Sequence, residues 1–177
     1  MSALRLINET SATSVSSISV TDVFTSDFDI YKIVINELDM ANNGRSIYLR
    51  PINSSGTIVT SSINDYAFLY LKSNTTFAEN RATSSSLFAP IMANVGSNSA
   101  YAGGSVVWFF NPFSNTSYTF TIGQSSDVES AGNYQGQKSI SVHKSTTSIT
   151  GFSVLQDIAD TFDNITIKTY GLRVDNG

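Results

Sequence analysis

A two-residue alternation of apolar and polar side chains recurs along almost the whole of this 177-residue chain. It is clearest over residues 31–35, 118–122, 140–143 and 165–168. Successive side chains of a β-strand point to opposite faces, so this period predicts strands with one face towards a core and one towards solvent. No segment has a convincing 3.6-residue period, and the best helical candidate, residues 155–160, would form at most a turn or two.

Two further stretches, residues 66–71 and 104–110, are apolar at consecutive positions, which is typical of strands buried between two layers. Clusters of Asn, Ser, Gly and Pro separate the strands at intervals of roughly 8–15 residues, the spacing of a β-sandwich or jelly roll. These turn clusters lie at residues 42–44, 53–56, 96–99 and 111–115. The chain is therefore predicted to be all-β, as a single antiparallel β-sandwich of jelly-roll type.

Composition agrees with this fold class. Ser, Thr and Asn supply 62 of the 177 residues, and only 14% are charged, against about 25% in an average soluble domain. These uncharged polar side chains suit the solvent face of strands and the tight turns between them. A hydrophobic content of 41% is sufficient for a core, so the Ser, Thr and Asn content does not indicate disorder.

The length predicts one domain. Residues 1–13 are predicted to be an N-terminal arm or a first edge strand, and residues 14–177 the β-sandwich domain. The pattern is weakest at residues 8–17 and 73–86, which predicts an arm and a long loop there. An extended arm can add a strand to the sheet edge of a neighbouring molecule.

Several function classes are excluded by what the chain contains. It has no cysteine, which rules out disulfides, thiolate nucleophiles and cysteine-bound zinc. Its 10 basic and 14 acidic residues provide no basic surface for a nucleic acid. No apolar stretch approaches the roughly 18 residues of a membrane span, and no basic segment followed by an apolar run opens the chain as a signal peptide would. Neither a nucleic-acid nor a membrane partner is expected.

No catalytic residue is predicted. His143 is the only histidine, and the alternation places it with Ser139 and Ser141 on the polar, solvent-facing side of its strand. A Ser–His–Asp triad would require this histidine, yet no Gly-x-Ser-x-Gly motif presents a nucleophilic serine. No Gly-rich phosphate loop is present either. We therefore expect neither an enzyme nor a cofactor.

Carboxylates occur in two clusters, whose members are Asp22, Asp27 and Asp29, and Asp157, Asp160 and Asp163. The second could approach a hard cation such as Ca²⁺, but the EF-hand spacing is absent and turn capping is the favoured interpretation, so no metal site is predicted. A glycosidase would need two carboxylates across a cleft, and no motif singles out such a pair. Aromatic residues such as Tyr66 and Trp108 could stack on sugars if exposed, but their strands favour core packing or a subunit interface.

The order of strands and turns resembles a known group of proteins. The segments that carry the resemblance are residues 24–38, 47–50, 103–112, 118–123, 149–152 and 162–172. They include a Gly103-Gly104 entry to a strand, an Asn111-Pro112 turn and a last strand containing Tyr170-Gly171. This pattern is similar to small β-sandwich virion structural proteins of tailed phages, of the type common among marine and cyanobacterial phages.

The resemblance implies a non-enzymatic virion protein that is made in the host cytoplasm and resides in the phage particle. It implies a capsid decoration or cement protein, which stabilises the head through contacts with the major capsid protein and with copies of itself, commonly as a homotrimer. The alternative is a tail-fibre or tail-appendage component that binds a receptor or host-surface glycan. That alternative predicts exposed aromatic residues at distal loops such as residues 73–86 and 124–136. Which residues form the interface is unknown from the sequence.

Overall fold

The computed structural model describes residues 3–173, which form two antiparallel β-sheets packed face to face. A 3₁₀ turn, η1 (Ser99–Tyr101), precedes the eighth strand. The strands are β1 (Ala3–Val15), β2 (Ser17–Val20), β3 (Ile30–Met40), β4 (Arg45–Asn53), β5 (Asn64–Lys72), β6 (Ala78–Ser85), β7 (Met92–Val95), β8 (Gly103–Phe110), β9 (Thr119–Val128), β10 (Tyr134–His143), β11 (Ile149–Gln156) and β12 (Phe162–Arg173).

The two sheets differ in width. Within residues 3–173, the large sheet has eight strands in the order β1-β12-β3-β8-β9-β10-β5-β6, and the small sheet has four in the order β2-β11-β4-β7. Neighbouring strands run antiparallel throughout. The prediction of an all-β antiparallel sandwich is confirmed. We refer to the face of the large sheet that packs on the small sheet as its inner face, and to the opposite face as its outer face.

An aromatic cluster occupies the core between the sheets. The centre of the Phe24 ring lies 4.7 Å from the ring centre of Tyr31 on β3, 5.1 Å from that of Phe109 on β8 and 5.9 Å from that of Phe152 on β11. The Tyr31 hydroxyl donates to the Thr25 carbonyl at 2.8 Å and accepts from the Thr25 amide at 2.7 Å. These bonds remove the cost of burying the phenol, so a tyrosine can pack at the centre of the core.

The alternation predicts the core correctly on one half of the large sheet. On β3, Ile33 and Ile35 are fully buried, and on β12 Ile165 and Ile167 are fully buried. These isoleucines belong to the hydrophobic core that the two sheets share. Their polar neighbours in the sequence lie on the outer face, as a period of two requires.

The structure corrects three local predictions. Residues 8–15 belong to β1, residues 78–85 form β6 rather than a long loop, and β11 continues through residue 156 with no helical turn after it. Both β1 and β6 are edge strands of the large sheet. Much of an edge strand is exposed to solvent, so few of its side chains need to be apolar. Such a strand is held by its backbone hydrogen bonds and lacks the apolar alternation that reveals a central strand in the sequence.

The N-terminal segment adds to the sheet of its own chain. β1 pairs with β12 along its whole length, from Ala3 opposite Arg173 to Val15 opposite Phe162. A bulge interrupts the register after Leu6, and Ile7 at this bulge packs against the core. Residues 3–15 therefore make an intramolecular edge strand.

Candidate functional site

The alternation on β9 has the opposite orientation from that predicted. Thr119 and Thr121 are buried on the inner face, whereas Phe120 and Ile122 are 47% and 40% exposed on the outer face. Burial of apolar surface is the main driving force of folding, so a strand that buries threonine and exposes phenylalanine needs a specific cause.

The neighbouring strand β10 is inverted in the same way. Ser139 and Ser141 are buried, and Ile140 between them is 55% exposed. His143 is also buried, so the prediction that it faces solvent is wrong. Its Nδ1 lies 2.7 Å from Asn64 Oδ1, and burial lowers the pKa of the imidazole below its ordinary value. This histidine is a satisfied core residue that joins β10 to β5.

The buried polar side chains of β10 explain the inversion, because they bind the backbone of the segment that leads into β7. The Ala89 amide donates to Ser141 Oγ at 2.8 Å. The side-chain amide of Gln137 donates to the Pro90 carbonyl. The amides of Phe88 and Ile91 donate to carbonyls of β4, and the side chains of β10 bind the backbone groups of Ala89 and Pro90 between them.

The strand register aligns the outward-facing apolar side chains into rows across the large sheet. One row contains Leu4, Leu172, Ile30, Phe110, Phe120 and Val142. The next contains Leu6, Tyr170, Lys32, Trp108, Ile122, Ile140 and Ala67. We call the apolar members of these two rows the apolar band. It extends from the edge strand β1 to β5, across seven of the strands in residues 3–173.

The apolar band has a groove on one side of β9 and a half-buried tryptophan on the other. The groove, about 530 Å³ in volume, is lined mainly by Phe120, Ile122, Ile140, Ala67 and Ala82. On the other side Trp108 lies on the outer face of β8, and Lys32 Nζ is 5.6 Å from the centre of its ring. The band therefore has both a concave part and a bulky aromatic part.

A third row on the outer face carries charges at its two ends. It runs from Glu9 on β1 through Lys168, Val34, Val106, Gln124, Lys138 and Leu69 to Glu79 on β6. Lys168 forms an ion pair with Glu9 at 3.3 Å. The outer face thus combines two mainly apolar rows with a polar third row, a mixture of the kind that protein–protein interfaces contain.

Phe120, Ile122 and Ile140 face outwards, contrary to the orientation that their alternation with polar residues predicted. The neighbouring strand did contain a signal that the outer face carries apolar residues. Its side chains are apolar at consecutive positions within residues 104–110, so they must lie on both faces of the sheet. An alternating strand next to a strand of that kind can turn either of its faces towards the core. The period of two predicts that faces differ and leaves open which one is inside.

Two carboxylates at the far end of β9 are held by structural contacts. Burial raises the pKa of the Asp127 carboxyl to about 6, although the Gln135 amide donates to its Oδ1 at 2.6 Å. Glu129 accepts hydrogen bonds from Asn133 at 2.8 Å and Asn94 at 3.1 Å and pairs with Lys72 at 3.2 Å. These bonds hold the pKa of Glu129 below its usual value and tie β9 to β5 and β7.

Two members of the second predicted acidic cluster, Asp157 and Asp160, accept hydrogen bonds at turns. Asp160 accepts from Arg45 Nε and Asn42 Nδ2, each at 2.8 Å, which keeps its pKa below the ordinary value. Asp157 accepts from the Ser46 amide at 3.2 Å and the Ile158 amide at 3.0 Å. Over residues 3–173, no group of three or more His, Asp or Glu side chains is arranged to hold a metal ion. The same residues contain no helix long and apolar enough to cross a membrane.

A smaller concavity lies at the opposite end of the outer face from the apolar band. Phe77, from the predicted loop 73–86, and Tyr134, from residues 124–136, lie beside Leu71 around a volume of about 280 Å³. Their side chains are 64% and 59% exposed. The Tyr134 hydroxyl is 3.0 Å from Ser126 Oγ. The structure therefore brings together aromatic residues from the two segments in which distal exposed aromatics were predicted.

No family model and no curated protein matches the chain. A solved chain from infectious bursal disease virus Gx strain is similar at 9% identity with a TM-score of 0.17, over 99% of this chain and 37% of that chain. The present chain thus spans little more than a third of that length. An aerolysin-like protein from Bombina maxima aligns at 10% identity with a TM-score of 0.10, over 89% of this chain and 90% of that one. Similarities of this size carry no argument about function.

Proposed function

We propose that this protein is a non-enzymatic structural component of a tailed-phage virion, and specifically a decoration or cement protein of the capsid. One observation carries the proposal: an apolar band crosses seven of the eight described strands of the large sheet on its outer face. Its strands and turns resemble those of small β-sandwich proteins of phage virions, and this resemblance is the reason for assigning it to a phage particle. Its partners would be the major capsid protein and further copies of the same chain.

The apolar band supports a permanent interface on physical grounds. Most of the large exposed apolar side chains within residues 3–173 lie on this one face, including Leu4, Leu6, Phe120, Ile122 and Ile140. Soluble monomers seldom expose a contiguous apolar surface larger than a few hundred Å². A face of this extent therefore favours a protein that functions within an assembly, where the surface is covered.

The remaining chemistry supports a structural role. The buried side chains of His143, Asp127 and Glu129 are engaged in contacts that join strands, as His143 is with Asn64 and Asp127 is with Gln135. Catalytic groups are typically gathered in a cleft with room for a substrate. The groove of the apolar band instead presents mainly apolar side chains, which provide surface for packing.

The decisive experiment is to locate and count the protein in purified particles. Gold-labelled antibody and quantitative gel densitometry would measure position and copy number, with the major capsid protein of the same particles as the internal standard. Many copies spread over the head are expected. A few copies at the tail would contradict the decoration role, and absence from the particle would contradict a virion protein altogether.

A tail appendage that binds a host-surface glycan is the second candidate, and the exposed pair Phe77 and Tyr134 favours it. Exposed aromatic rings can stack on the apolar faces of sugars, and Ser126 adds a hydroxyl beside Tyr134. On this candidate, Tyr134→Ala abolishes binding of the protein to a glycan array while Tyr118→Ala, at an exposed tyrosine elsewhere, leaves it intact. Equal binding by both variants, or none by the wild type, would contradict it.

A further inference from the structure

We infer that the apolar band is covered by a second copy of this chain, packed outer face to outer face about a two-fold axis that runs parallel to the strands along β9. The inference deepens the proposed function, because it names the partner of the face on which that proposal rests. Three features carry it: the placement of groove and tryptophan, the placement of charges, and the size of the face.

The groove and Trp108 lie on opposite sides of β9. This strand is the middle one of the seven from β12 to β6, with β8 on one side and β10 on the other. A two-fold axis along it places β8 of one copy against β10 of the other. Trp108 and Ile140 both lie in the row that crosses β9 at Ile122, so Trp108 of each copy faces the groove around Ile140 of the second copy. The bulky residue thus fills the concave part.

The charges at the margin are also complementary under the same operation. Lys168 on β12 and Glu79 on β6 lie in one row, three strands from β9 on either side, and the row continues past Lys168 to its ion-pair partner Glu9 on β1. The axis brings Lys168 of one copy to Glu79 of the other, so that Lys168 lies between two carboxylates. This contact occurs twice, once at each side of the axis, as a two-fold interface requires.

The size of the face matches what a stable dimer needs. Seven strands spaced about 4.8 Å apart, and three rows about 6.8 Å apart, give a surface of about 34 by 20 Å, on the order of 700 Å². A standard protein–protein interface buries about 800 Å² on each partner. Two sheets that pack face to face keep their strand directions within about 30° of one another, which suits an axis parallel to the strands.

The test is the mass of the purified full-length protein in solution, measured by sedimentation and light scattering over a wide range of concentration. The expected mass is twice that of the 19.1 kDa chain. A species of one chain at all concentrations would overturn the inference, and so would a species of three chains.

A matched pair of variants tests the face. Ile140→Lys places an ammonium group inside the interface and is expected to raise the dimer dissociation constant by about a hundredfold or more. Ile158→Lys is the control, because Ile158 is 57% exposed and Ile140 is 55% exposed, but Ile158 lies outside the large sheet. Equal dissociation constants for the two variants would place the contact elsewhere and overturn the inference.

Trp108 provides an independent readout, because it is the only tryptophan of the chain. Its emission should shift to shorter wavelength as dimers form, and the shift should be absent in Ile140→Lys. A wild-type dimer whose tryptophan emission does not change with concentration would contradict contact at the groove.

The charge arrangement is tested by exchange. Glu79→Lys and Lys168→Glu should each weaken the dimer about two- to fivefold, and the doubly substituted chain should recover the wild-type affinity. Additive weakening in the double variant would overturn this orientation of the copies.

Failure of this inference and failure of the proposed function give different results. A protein that is monomeric in solution but abundant on phage heads would overturn the two-fold pair and leave the decoration role intact. A protein that is a dimer in solution but absent from the particles would contradict the decoration role and leave the two-fold pair intact.

Discussion

At the scale of single residues, the buried carboxyl of Asp127 has the clearest energetic consequence. Its pKa is raised to about 6 by burial and by the nearby charge of Glu129, against 3.8 in an unfolded chain. The folded state therefore favours the protonated acid. The stabilisation from this group is fully present below the unfolded pKa and is lost as pH rises through about 6.

We therefore expect Asp127→Asn to stabilise the protein at pH 8. A shift of about two pKa units corresponds to an upper value of about 3 kcal/mol, so a gain of about 1–3 kcal/mol is expected. The gain should shrink as pH falls from 8 towards 4, because the wild-type carboxyl becomes neutral. Urea denaturation at several pH values measures it.

Asp163→Asn is the control for that experiment, since Asp163 is exposed on β12. It should change the free energy of unfolding little at any pH. An Asp127→Asn protein less stable than wild type at pH 8 would show that the ionised carboxylate contributes favourably through a contact that the amide cannot replace.

At the scale of secondary-structure elements, side chains of β10 hold the segment leading into β7 through hydrogen bonds to its backbone. Ser141 accepts from the Ala89 amide, and Gln137 donates to the Pro90 carbonyl. These bonds need polar residues on the inner face of β10, and polar residues there leave the apolar ones of the same strand outside. The placement of polar side chains on the inner face of β10 thus accounts both for the inverted orientation of this strand and for the hydrogen bonds to the segment before β7.

Ser141→Ala should accordingly destabilise the fold by about 1–3 kcal/mol, because the buried Ala89 amide loses its acceptor. Ser126→Ala, on the outer face of β9, is the matched control and should cost less than about 0.5 kcal/mol. Chemical denaturation of both variants compares them. Equal stabilities would mean that Ala89 finds another acceptor and that the segment does not depend on β10.

Elements also differ in how far the sequence predicts them. On β3 and β12 the alternation, the buried isoleucines and the orientation all agree with expectation. On β9 and β10 the strands and their period are predicted correctly but the faces are exchanged. The difference arises because β3 and β12 face apolar residues of the small sheet, whereas β10 faces a backbone segment that must be hydrogen-bonded.

At the scale of the whole molecule, the large sheet is wider than the small one by four strands within residues 3–173. Residues 3–173 leave its outer face uncovered, and the apolar band lies there. A second copy on this face would make four layers of sheet with the two bands at the centre. Stability would then be coupled to association.

The melting temperature of the wild-type protein should therefore rise with protein concentration, because dimerisation stabilises only the folded chain. Ile140→Lys should melt at one temperature at all concentrations, and at high concentration it should melt below the wild type. Differential scanning calorimetry at matched concentrations measures both. A wild-type melting temperature that is independent of concentration would contradict an interface that contributes to stability.

The fold class and the positions of most strands follow from the amino-acid sequence, because a period of two is a local property of the backbone. The sequence also predicted the buried isoleucines of β3 and β12. The burial of His143, the outward orientation of Phe120 and Ile140, and the apolar band were decided only by the tertiary structure. A strand's pattern divides its side chains into two sets, and which set becomes the interior depends on what packs against the strand from elsewhere in the chain.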